Sequence, residues 1–307
     1  MTARPSTAET PAALLAASSS TADDGTRRAM IWMVLGAFAF AGMGACTFAL
    51  GNRCDWLVVA TVRVVFMFTA TAIAARAAGA RLVFLSPPTL WIRSLAGSFS
   101  LICNFYAMTR LPVGDVLTIT NTYPLWIILA TAAAARRVPG RGEVFGVLLG
   151  LLGVALIQRP QLDGDRLAAL VALAGSFSTT VAMLGLHRLR NVDPRAVVVH
   201  FSATAAIFGA LGIALRGPVW DSFDSSATTW LLLLGVGVSG TIGQVMLTKA
   251  YAAGKPSKVS VAALSQVVFG VGFDVLIWQR RLPIATLVGM ALILGPTAWA
   301  SSRRGTE

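Results

Sequence analysis

The sequence predicts an all-α membrane protein of ten transmembrane helices, arranged as two inverted five-helix repeats. Three observations support this fold class: the composition, the spacing of the apolar blocks and the similarity of the two halves. The 307 residues are 56% hydrophobic and 12% charged, with a mean hydropathy of +0.73. Soluble domains carry about a quarter charged residues. A soluble protein of this length would need more charged residues to cover its surface.

Ten apolar blocks approach the ~20 helical residues that a hydrocarbon core of about 30 Å requires. The links between them carry charges and helix breakers, as in "RRVPGRG" and "RPQLDGD". Since lipid offers the backbone no hydrogen-bond partners, each block must be helical. The blocks are 30–50, 56–75, 90–109, 116–135, 143–158, 167–186, 196–215, 227–248, 258–278 and 284–300.

The basic residues predict the orientation of the chain. If the N-terminus is cytoplasmic, most Lys and Arg residues fall in cytoplasmic links, as the positive-inside rule requires. Most tryptophans lie at block ends, where an interfacial belt is expected. We therefore expect a protein integral to the bacterial cytoplasmic (inner) membrane, with both termini cytoplasmic.

Four segments follow from this pattern. Residues 1–29 are predicted to be a disordered cytoplasmic tail, because their first part is rich in Ala, Ser, Thr and Pro without apolar periodicity. The first five-helix repeat is expected at 30–160 and the second at 161–301. A short cytoplasmic tail, 302–307, completes the chain.

The two halves share an order of sequence features. "AMTRLPVGD" at 107–115 corresponds to "AYAAGKPSK" at 250–258, a spacing of 143 residues (107 to 250). The same spacing pairs Gly146 with Gly289, and alignment of the second helix of each half places Arg63 opposite His200. Because five is odd, the second half must enter the membrane from the opposite side. Inverted repeats of this kind form substrate sites between their halves.

These residues resemble the drug/metabolite transporter superfamily, specifically proteins with two EamA domains. The resemblance covers about residues 30–300 and rests on Arg63, on "FYAMTRLPVGDVLTITNTYPLW" and on "LTKAYAAGKPSKVSVAALSQVVFG". It implies a carrier with alternating access, in which helices one to four and six to nine surround a cavity. Helices five and ten would then pack at the periphery or form a homodimer. The resemblance is closest to the branch that contains S-adenosylmethionine carriers.

One departure from the family pattern concerns the loops after helices four and nine. Many members have a glutamate there, whereas this chain has Arg136 and Arg280. A role that the family assigns to that acid therefore does not carry over to this chain.

The predicted function is secondary transport of a small polar metabolite, of amino-acid, nucleoside or S-adenosylmethionine-like type. We expect no cofactor and no metal, a small-molecule substrate and the lipid bilayer as partners, and no nucleic acid, since no basic cluster is interleaved with aromatic residues. The alternative is a multipass enzyme such as an acyl- or lipid-transferase. That chemistry needs a catalytic cluster, and the chain has two histidines, His187 and His200. A channel is disfavoured by the absence of charged rings.

Arg63 is the leading site candidate, because a guanidinium well inside a membrane helix costs at least ~2.5 kcal/mol. It either binds an anionic group of the substrate or holds the bundle together through backbone carbonyls or a neighbouring helix. Arg93 is a gating candidate or a snorkelling anchor. Asp274 is a coupling carboxylate or the partner of a nearby arginine. His200 is a proton carrier or a neutral, helix-bonded histidine.

Uncharged polar side chains complete the predicted substrate-binding set. Pro124 breaks the fourth helix, and such breaks are tolerated where they line a cavity. The set consists of Asn104, Tyr106, Asn121, Tyr123, Gln244 and Gln266.

Overall fold

The computed structural model describes residues 11–51, 53–108, 110–111, 113–159, 165–217, 219 and 223–302, and every regular element within these ranges is helical. The twelve helices are α1 (Pro11–Leu50), α2 (Trp56–Ala77), α3 (Pro88–Met108), α4 (Val113–Thr120), α5 (Tyr123–Ala134), α6 (Arg141–Gln158), α7 (Arg166–Arg188), α8 (Pro194–Arg216), α9 (Ala227–Ala253), α10 (Pro256–Ala263), α11 (Ser265–Trp278) and α12 (Ile284–Ser302).

Among the described residues, eight helical segments are long and apolar enough to cross a membrane. A ninth apolar helix, Ile284–Ala300, is shorter. The 21-residue helix α3 is not one of the eight, so the count of ten spans stays a prediction. The all-helical membrane fold itself is confirmed, and the chain is an integral membrane protein.

The N-terminal segment differs from the prediction. Helix α1 begins at Pro11, within the segment 1–29 for which we predicted a disordered tail. Its first turns, "PAALLAA", are rich in Ala and Leu, which have the highest helix propensities, and they continue directly into the first apolar block. Residues 1–10 and 303–307 lie outside the described residues.

The fourth and ninth predicted spans are each divided into two helices. The first break separates α4 from α5 just before Tyr123 and Pro124, and the second separates α10 from α11 at Leu264. The repeat spacing relates Asn121, at the first break, to Leu264 at the second. Both halves therefore interrupt the same span at the same place, as discontinuous helices of transporter repeats do.

The most extensive contacts between two helices have counterparts between the equivalent helices of the other half. Helix α1 packs against α9, and its equivalent α7 packs against α3. The contact of α2 with α9 has its counterpart in that of α8 with α3. Two further pairs, α2 with α8 and α6 with α12, are each formed by equivalent helices of the two halves. The two predicted repeats are thus related by a pseudo-two-fold operation.

The α6–α12 pair shows that the repeats are inverted. A Cβ built on Gly146 would lie 3.6 Å from Pro296 Cβ, and one built on Gly153 would lie 2.5 Å from the carbonyl oxygen of Gly289. Residues early in one helix thus meet residues late in the other, so these two equivalent helices run antiparallel. Exchanging the halves at the repeat spacing turns the first contact into the second.

The glycines of α6 face the inside of the bundle rather than another copy of the chain. Gly150, four residues after Gly146, lies against the side chain of Leu264. The outer face of the pair presents large apolar side chains, which are half or more exposed at Phe145 and Leu148. A homodimer through helices five and ten, which stays a prediction, would use this outer face.

The α2–α8 pair has the same antiparallel arrangement. A Cβ on Gly209 would lie 2.8 Å from Thr61 Oγ1, and one on Gly212 would lie 3.3 Å from a methyl carbon of Leu57. This pair therefore lies on the pseudo-two-fold axis, at the boundary between the halves.

Candidate functional site

Arg63 lies on α2 and points between α1 and α9. Its Cζ atom is 5.9 Å from the ring centroid of Phe40 on α1. A Cβ built on Gly240 of α9 would lie 3.1 Å from its Nε atom, so a larger residue there would displace the guanidinium by a few tenths of an ångström. The Nε atom is buried without a hydrogen-bond partner. The guanidinium therefore faces the interior of the bundle and not the lipid.

Arg93 is more deeply buried than Arg63. The side chain is 1% exposed and its Cζ atom lies 3.9 Å from the ring centroid of Phe201 on α8. Its Nε and Nη1 atoms are buried without hydrogen-bond partners. A Cβ on Gly97 would lie 2.8 Å from Nη1. Enclosed by protein on every side, Arg93 does not behave as the lipid-facing snorkelling anchor that its position near the start of α3 suggested.

The glycines beside the two arginines are equivalent positions of the repeat. Gly97 of α3 and Gly240 of α9 are related by the same spacing that relates Gly146 to Gly289. Each arginine also has a phenylalanine ring beside it. We call the surroundings of Arg63 (α1, α2 and α9) the first niche and those of Arg93 (α3, α7 and α8) the second niche.

His200, predicted to be the equivalent of Arg63, lies at the edge of the second niche. Its Nδ1 atom is 2.7 Å from the hydroxyl oxygen of Ser94, and its ring meets that of Trp91 edge to face at 4.6 Å. The side chain is 2% exposed. Arg63 contacts Gly240 of α9, whereas the equivalent glycine of α3, Gly97, lies against Phe201 and not against His200. The correspondence of Arg63 with His200 stays a prediction.

The uncharged candidates are dispersed along the bundle. Asn121 donates to the Leu117 carbonyl oxygen at 2.7 Å, and Tyr123 packs against the fully buried Tyr251. Gln244 is 5% exposed and its Nε2 atom is buried without a partner. These three lie beside the helix breaks or on α9, near the interior.

The remaining uncharged candidates lie elsewhere. Asn104 packs against Gly175 of α7, and its Oδ1 atom is buried without a partner. Tyr106 lies under Arg110, whose Cζ atom is 5.4 Å from the ring centroid. Gln266 is exposed. The structure does not gather the predicted set into one cluster, and its role in substrate binding stays a prediction.

Asp274 forms an ion pair. Its Oδ2 atom lies 3.0 Å from Nη1 of Arg280, and both side chains are more than a third exposed. The contact agrees with the interpretation of Asp274 as the partner of a nearby arginine. Arg280, which follows α11, is thus paired with an acid of that helix.

Two arginine–aspartate pairs join the loop that precedes α2 to the end of α8 and to the loop that follows α8. Arg53 lies 3.1 Å from Asp224, and Arg216 lies 3.3 Å from Asp55. We call these four residues the loop ion-pair cluster, and the end of the bundle that carries them the cluster end. A third pair between the halves, Arg110 with Asp165 at 3.4 Å, lies at the same end. We call the other end of the bundle, where residues 78–87 join α2 to α3, the opposite end.

Sequence reasoning missed several residues of these sites. Phe201 and Tyr251 are ordinary apolar-block residues in the sequence, and nothing there indicates that they contact Arg93 and Tyr123. The glycines beside the arginines, Gly97 and Gly240, carry a usable signal, because the repeat spacing relates them.

The fold and these sites define a class of protein: a helical membrane protein built from two inverted repeats, with cationic side chains enclosed between the repeats. The model of the EamA-like transporter family matches residues 27–159 and 166–301. The chain belongs to the EamA-like transporter family, whose named members here are transporters of the drug/metabolite type.

Curated relatives carry transporter names. The pseudopaline exporter CntI of Pseudomonas aeruginosa is 29% identical over 226 residues, which is 71% of this chain and 76% of that protein. A probable transport protein of Saccharomyces cerevisiae is 25% identical over 241 residues, 71% of this chain and 68% of that protein. The riboflavin transporter of Vibrio cholerae is 29% identical over 149 residues, 48% of this chain and 49% of that protein.

A solved crystal structure shares the fold. It matches with a TM-score of 0.76 at 21% identity, over 89% of this chain and 96% of that chain. The two repeats thus belong to an architecture that is already observed experimentally. The chain is a membrane transporter, with a small-molecule substrate and a lipid environment.

Proposed function

We propose that this transporter is a secondary carrier, which moves a small polar metabolite by alternating access, and that Arg63 binds an anionic group of the substrate. The observation that carries the proposal is the inward-facing guanidinium of Arg63. It is bound to no acid among the described residues, and its Nε atom lacks a partner. A guanidinium inside a membrane bundle is costly unless a ligand or water completes its hydrogen bonds.

The inverted repeat supports alternating access. Equivalent helices α2 and α8 run antiparallel at the boundary of the halves, so tilting one half against the other exposes the boundary at one end and closes it at the other. The helix breaks before Tyr123 and at Leu264 supply backbone groups at equivalent depths. Such breaks are tolerated where they line a cavity.

The names of the relatives support a small organic substrate. One is named as a pseudopaline exporter and another as a riboflavin transporter, and these names differ in substrate. Our proposal for this chain is a metabolite of amino-acid, nucleoside or S-adenosylmethionine-like type that carries an anionic group. We place the protein in the bacterial inner membrane with both termini cytoplasmic.

Counterflow in proteoliposomes tests the proposal. Vesicles containing the purified protein are loaded with a metabolite extract, and the compounds that exchange with an isotope-labelled external pool are read by mass spectrometry. Wild type should exchange a polar metabolite with saturable kinetics. Arg63→Gln should lower that exchange at least tenfold while eluting as wild type in size-exclusion chromatography.

Arg166→Gln is the matched control, because Arg166 is an exposed arginine at the start of α7, outside both niches. It should exchange at the wild-type rate. Full exchange by a well-folded Arg63→Gln variant would refute the role of Arg63. Flux that rises linearly with concentration would contradict a carrier.

A further inference from the structure

Arg93 is a second cation inside the bundle, and it has no part in the function proposed for Arg63. Its side chain is 1% exposed, and two of its nitrogen atoms lack hydrogen-bond partners. No ion pair joins it to an acid in the part of the chain that the structure describes. The face of the guanidinium is covered by the Phe201 ring, but a ring face does not satisfy N–H groups in the guanidinium plane.

We propose that the second niche is an anion-binding site, in which Arg93 receives the carboxylate group of the substrate at the opposite end of the path from Arg63. The inference rests on the proposed transport function and adds two statements to it. The substrate carries a carboxylate, and it is bound in turn by two arginines that lie in equivalent niches but come from non-equivalent helices, α2 and α3.

The equivalence of the niches is the first argument. Gly97 and Gly240 are related by the repeat spacing, and each lies against an arginine so closely that a Cβ would come within 2.8 Å and 3.1 Å of a guanidinium nitrogen, respectively. The first niche is formed by α1, α2 and α9, and exchange of the halves converts these helices into α7, α8 and α3, which form the second. Both niches thus hold an arginine beside the equivalent glycine: Arg63 reaches Gly240 from another helix, and Arg93 lies one turn before Gly97 on the same helix.

The depth of the two arginines is the second argument. Arg63 lies about 11 Å from the start of α2, which is at the cluster end, and Arg93 lies about 8 Å from the start of α3, at the opposite end, counting 1.5 Å per helical residue. The cations therefore lie in different halves of the membrane. A carrier that alternates its access needs the substrate to be held from each side in turn.

The connection between the niches is the third argument. Phe201, which covers Arg93, belongs to a buried apolar cluster with Val64, Met67 and Val198. Val64 follows Arg63 directly in α2. One apolar layer on the α2–α8 pair thus separates the two cations, and movement of this pair would expose one niche while closing the other.

Carboxylate is the ligand chemistry that fits best. Arginine binds carboxylates through planar, charge-assisted hydrogen bonds, and it does so most strongly where water is excluded. The ring of Phe201 covers one face of the Arg93 guanidinium and leaves its in-plane N–H groups for a ligand, and Gly97 places no side chain against Nη1. A planar anion uses these groups better than a neutral polar group does.

The first experiment tests whether Arg93 binds a ligand or stabilises the folded protein. The full chain in lipid nanodiscs is compared with Arg93→Met and with the control Arg166→Gln by thermal unfolding without ligand. If Arg93 awaits a ligand, Arg93→Met should raise Tm by a few degrees, because an unpaired buried cation is replaced by an apolar side chain of similar length. A fall in Tm of several degrees would show a structural role and overturn the inference.

The second experiment asks from which end each arginine acts. Transport of the exchanged metabolite is measured in vesicles of both protein orientations. Arg93→Met should raise KM at least tenfold for substrate presented at the opposite end and less than twofold at the cluster end, while Arg63→Met should show the reverse. Arg93→Lys, which keeps the charge but has fewer donors, gives a folded variant of intermediate KM. Equal effects from both ends, or a substrate without a carboxylate, would overturn the inference while leaving the proposed transport intact.

A third measurement keeps the two proposals separable. If wild type exchanges no metabolite at all, the proposed function fails, and millimolar L-glutamate and inorganic phosphate are then tested as probes of Tm. Protection by L-glutamate that is lost in Arg93→Met supports the carboxylate site. Protection by phosphate alone, or by neither probe, overturns it.

Discussion

Gly153 of α6 and Gly289 of α12 face each other so closely that a Cβ on either would lie 2.5 Å or 2.7 Å from the carbonyl oxygen of the other. The two residues come from equivalent helices of the two repeats, which run antiparallel. Their contact is one half of a symmetric pair, and the contact of Gly146 with Pro296 is the other. Close approach of these helices therefore depends on the absence of side chains at this point.

Alanine at Gly153 should separate α6 from α12. A Cβ within 2.5 Å of backbone forces the helices apart, and overpacking of this kind costs about 1–3 kcal/mol. We expect Gly153→Ala to lower Tm in detergent or nanodiscs. The matched control is Gly272→Ala in α11, where a Cβ meets nothing within 4 Å and Tm should hold or rise slightly. Equal Tm values for the two variants would contradict the close packing described for α6 and α12.

Asp224 should contribute more to stability than its ion-pair partner Arg53. Its carboxylate accepts hydrogen bonds from the Ser226 hydroxyl and backbone N–H and from the Thr229 hydroxyl, besides the ion pair with Arg53. Asp224→Ala removes all of these interactions, whereas Arg53→Ala removes one. We expect a larger fall in Tm for Asp224→Ala. An equal fall for both variants would show that the ion pair alone holds the loops.

The contribution of Asp224 should depend on pH only in strong acid. Hydrogen bonds from Ser226 and the other donors lower the pKa of Asp224 below its ordinary value of 3.8. Stability from a lowered pKa is fully present above the unfolded value and is lost as the pH falls through the folded value. The Tm difference between wild type and Asp224→Asn should therefore be constant from about pH 8 to pH 5 and decrease only below the ordinary carboxylate range. A difference that changes near neutral pH would contradict this origin.

Asp274→Asn should leave transport intact. The carboxylate is paired with Arg280 at 3.0 Å, both side chains are exposed, and exposed pairs contribute about 0–1 kcal/mol. We expect wild-type counterflow of the exchanged metabolite and a small change in Tm. Loss of exchange in a variant of normal Tm would instead identify Asp274 as a coupling carboxylate.

The niche glycines should control substrate affinity through the arginines. Gly240→Ala places a Cβ 3.1 Å from Arg63 Nε and 3.0 Å from the Met43 sulfur, so the guanidinium must move. We expect a raised KM with little change in expression. Gly44→Ala on α1, where a Cβ meets nothing within 4 Å, is the control. An unchanged KM in Gly240→Ala would show that the position of Arg63 does not determine affinity.

Much of the fold could be predicted from the sequence because hydropathy and repeat spacing are one-dimensional signals. Block lengths predicted the membrane helices, and Pro124 predicted the break in the fourth span. The break at Leu264 carries no proline and became visible only as the counterpart of the first. The tail prediction was drawn from composition, and it missed the helix that begins at Pro11.

The site was harder to predict because sequence gives depth along a helix but not direction around it. Arg93 lies near the start of α3, which suggested an interfacial anchor, yet packing turns it into the bundle. Gln266 was grouped with interior residues by its position in the ninth span, but its side chain is exposed. The partners of Arg63 come from α1 and α9, and only the folded chain brings these helices to α2.

The position of the loop ion-pair cluster has a consequence for how the carrier responds to its surroundings. Three arginine–aspartate attractions fasten the halves at one face of the membrane, and dissolved ions screen such exposed attractions over about 8 Å at physiological ionic strength. A high salt concentration on that face would weaken these ion pairs and would leave the apolar layer between the two cations unchanged. A change in ionic strength would thereby change the resting balance between the two faces, even with the substrate concentration held fixed.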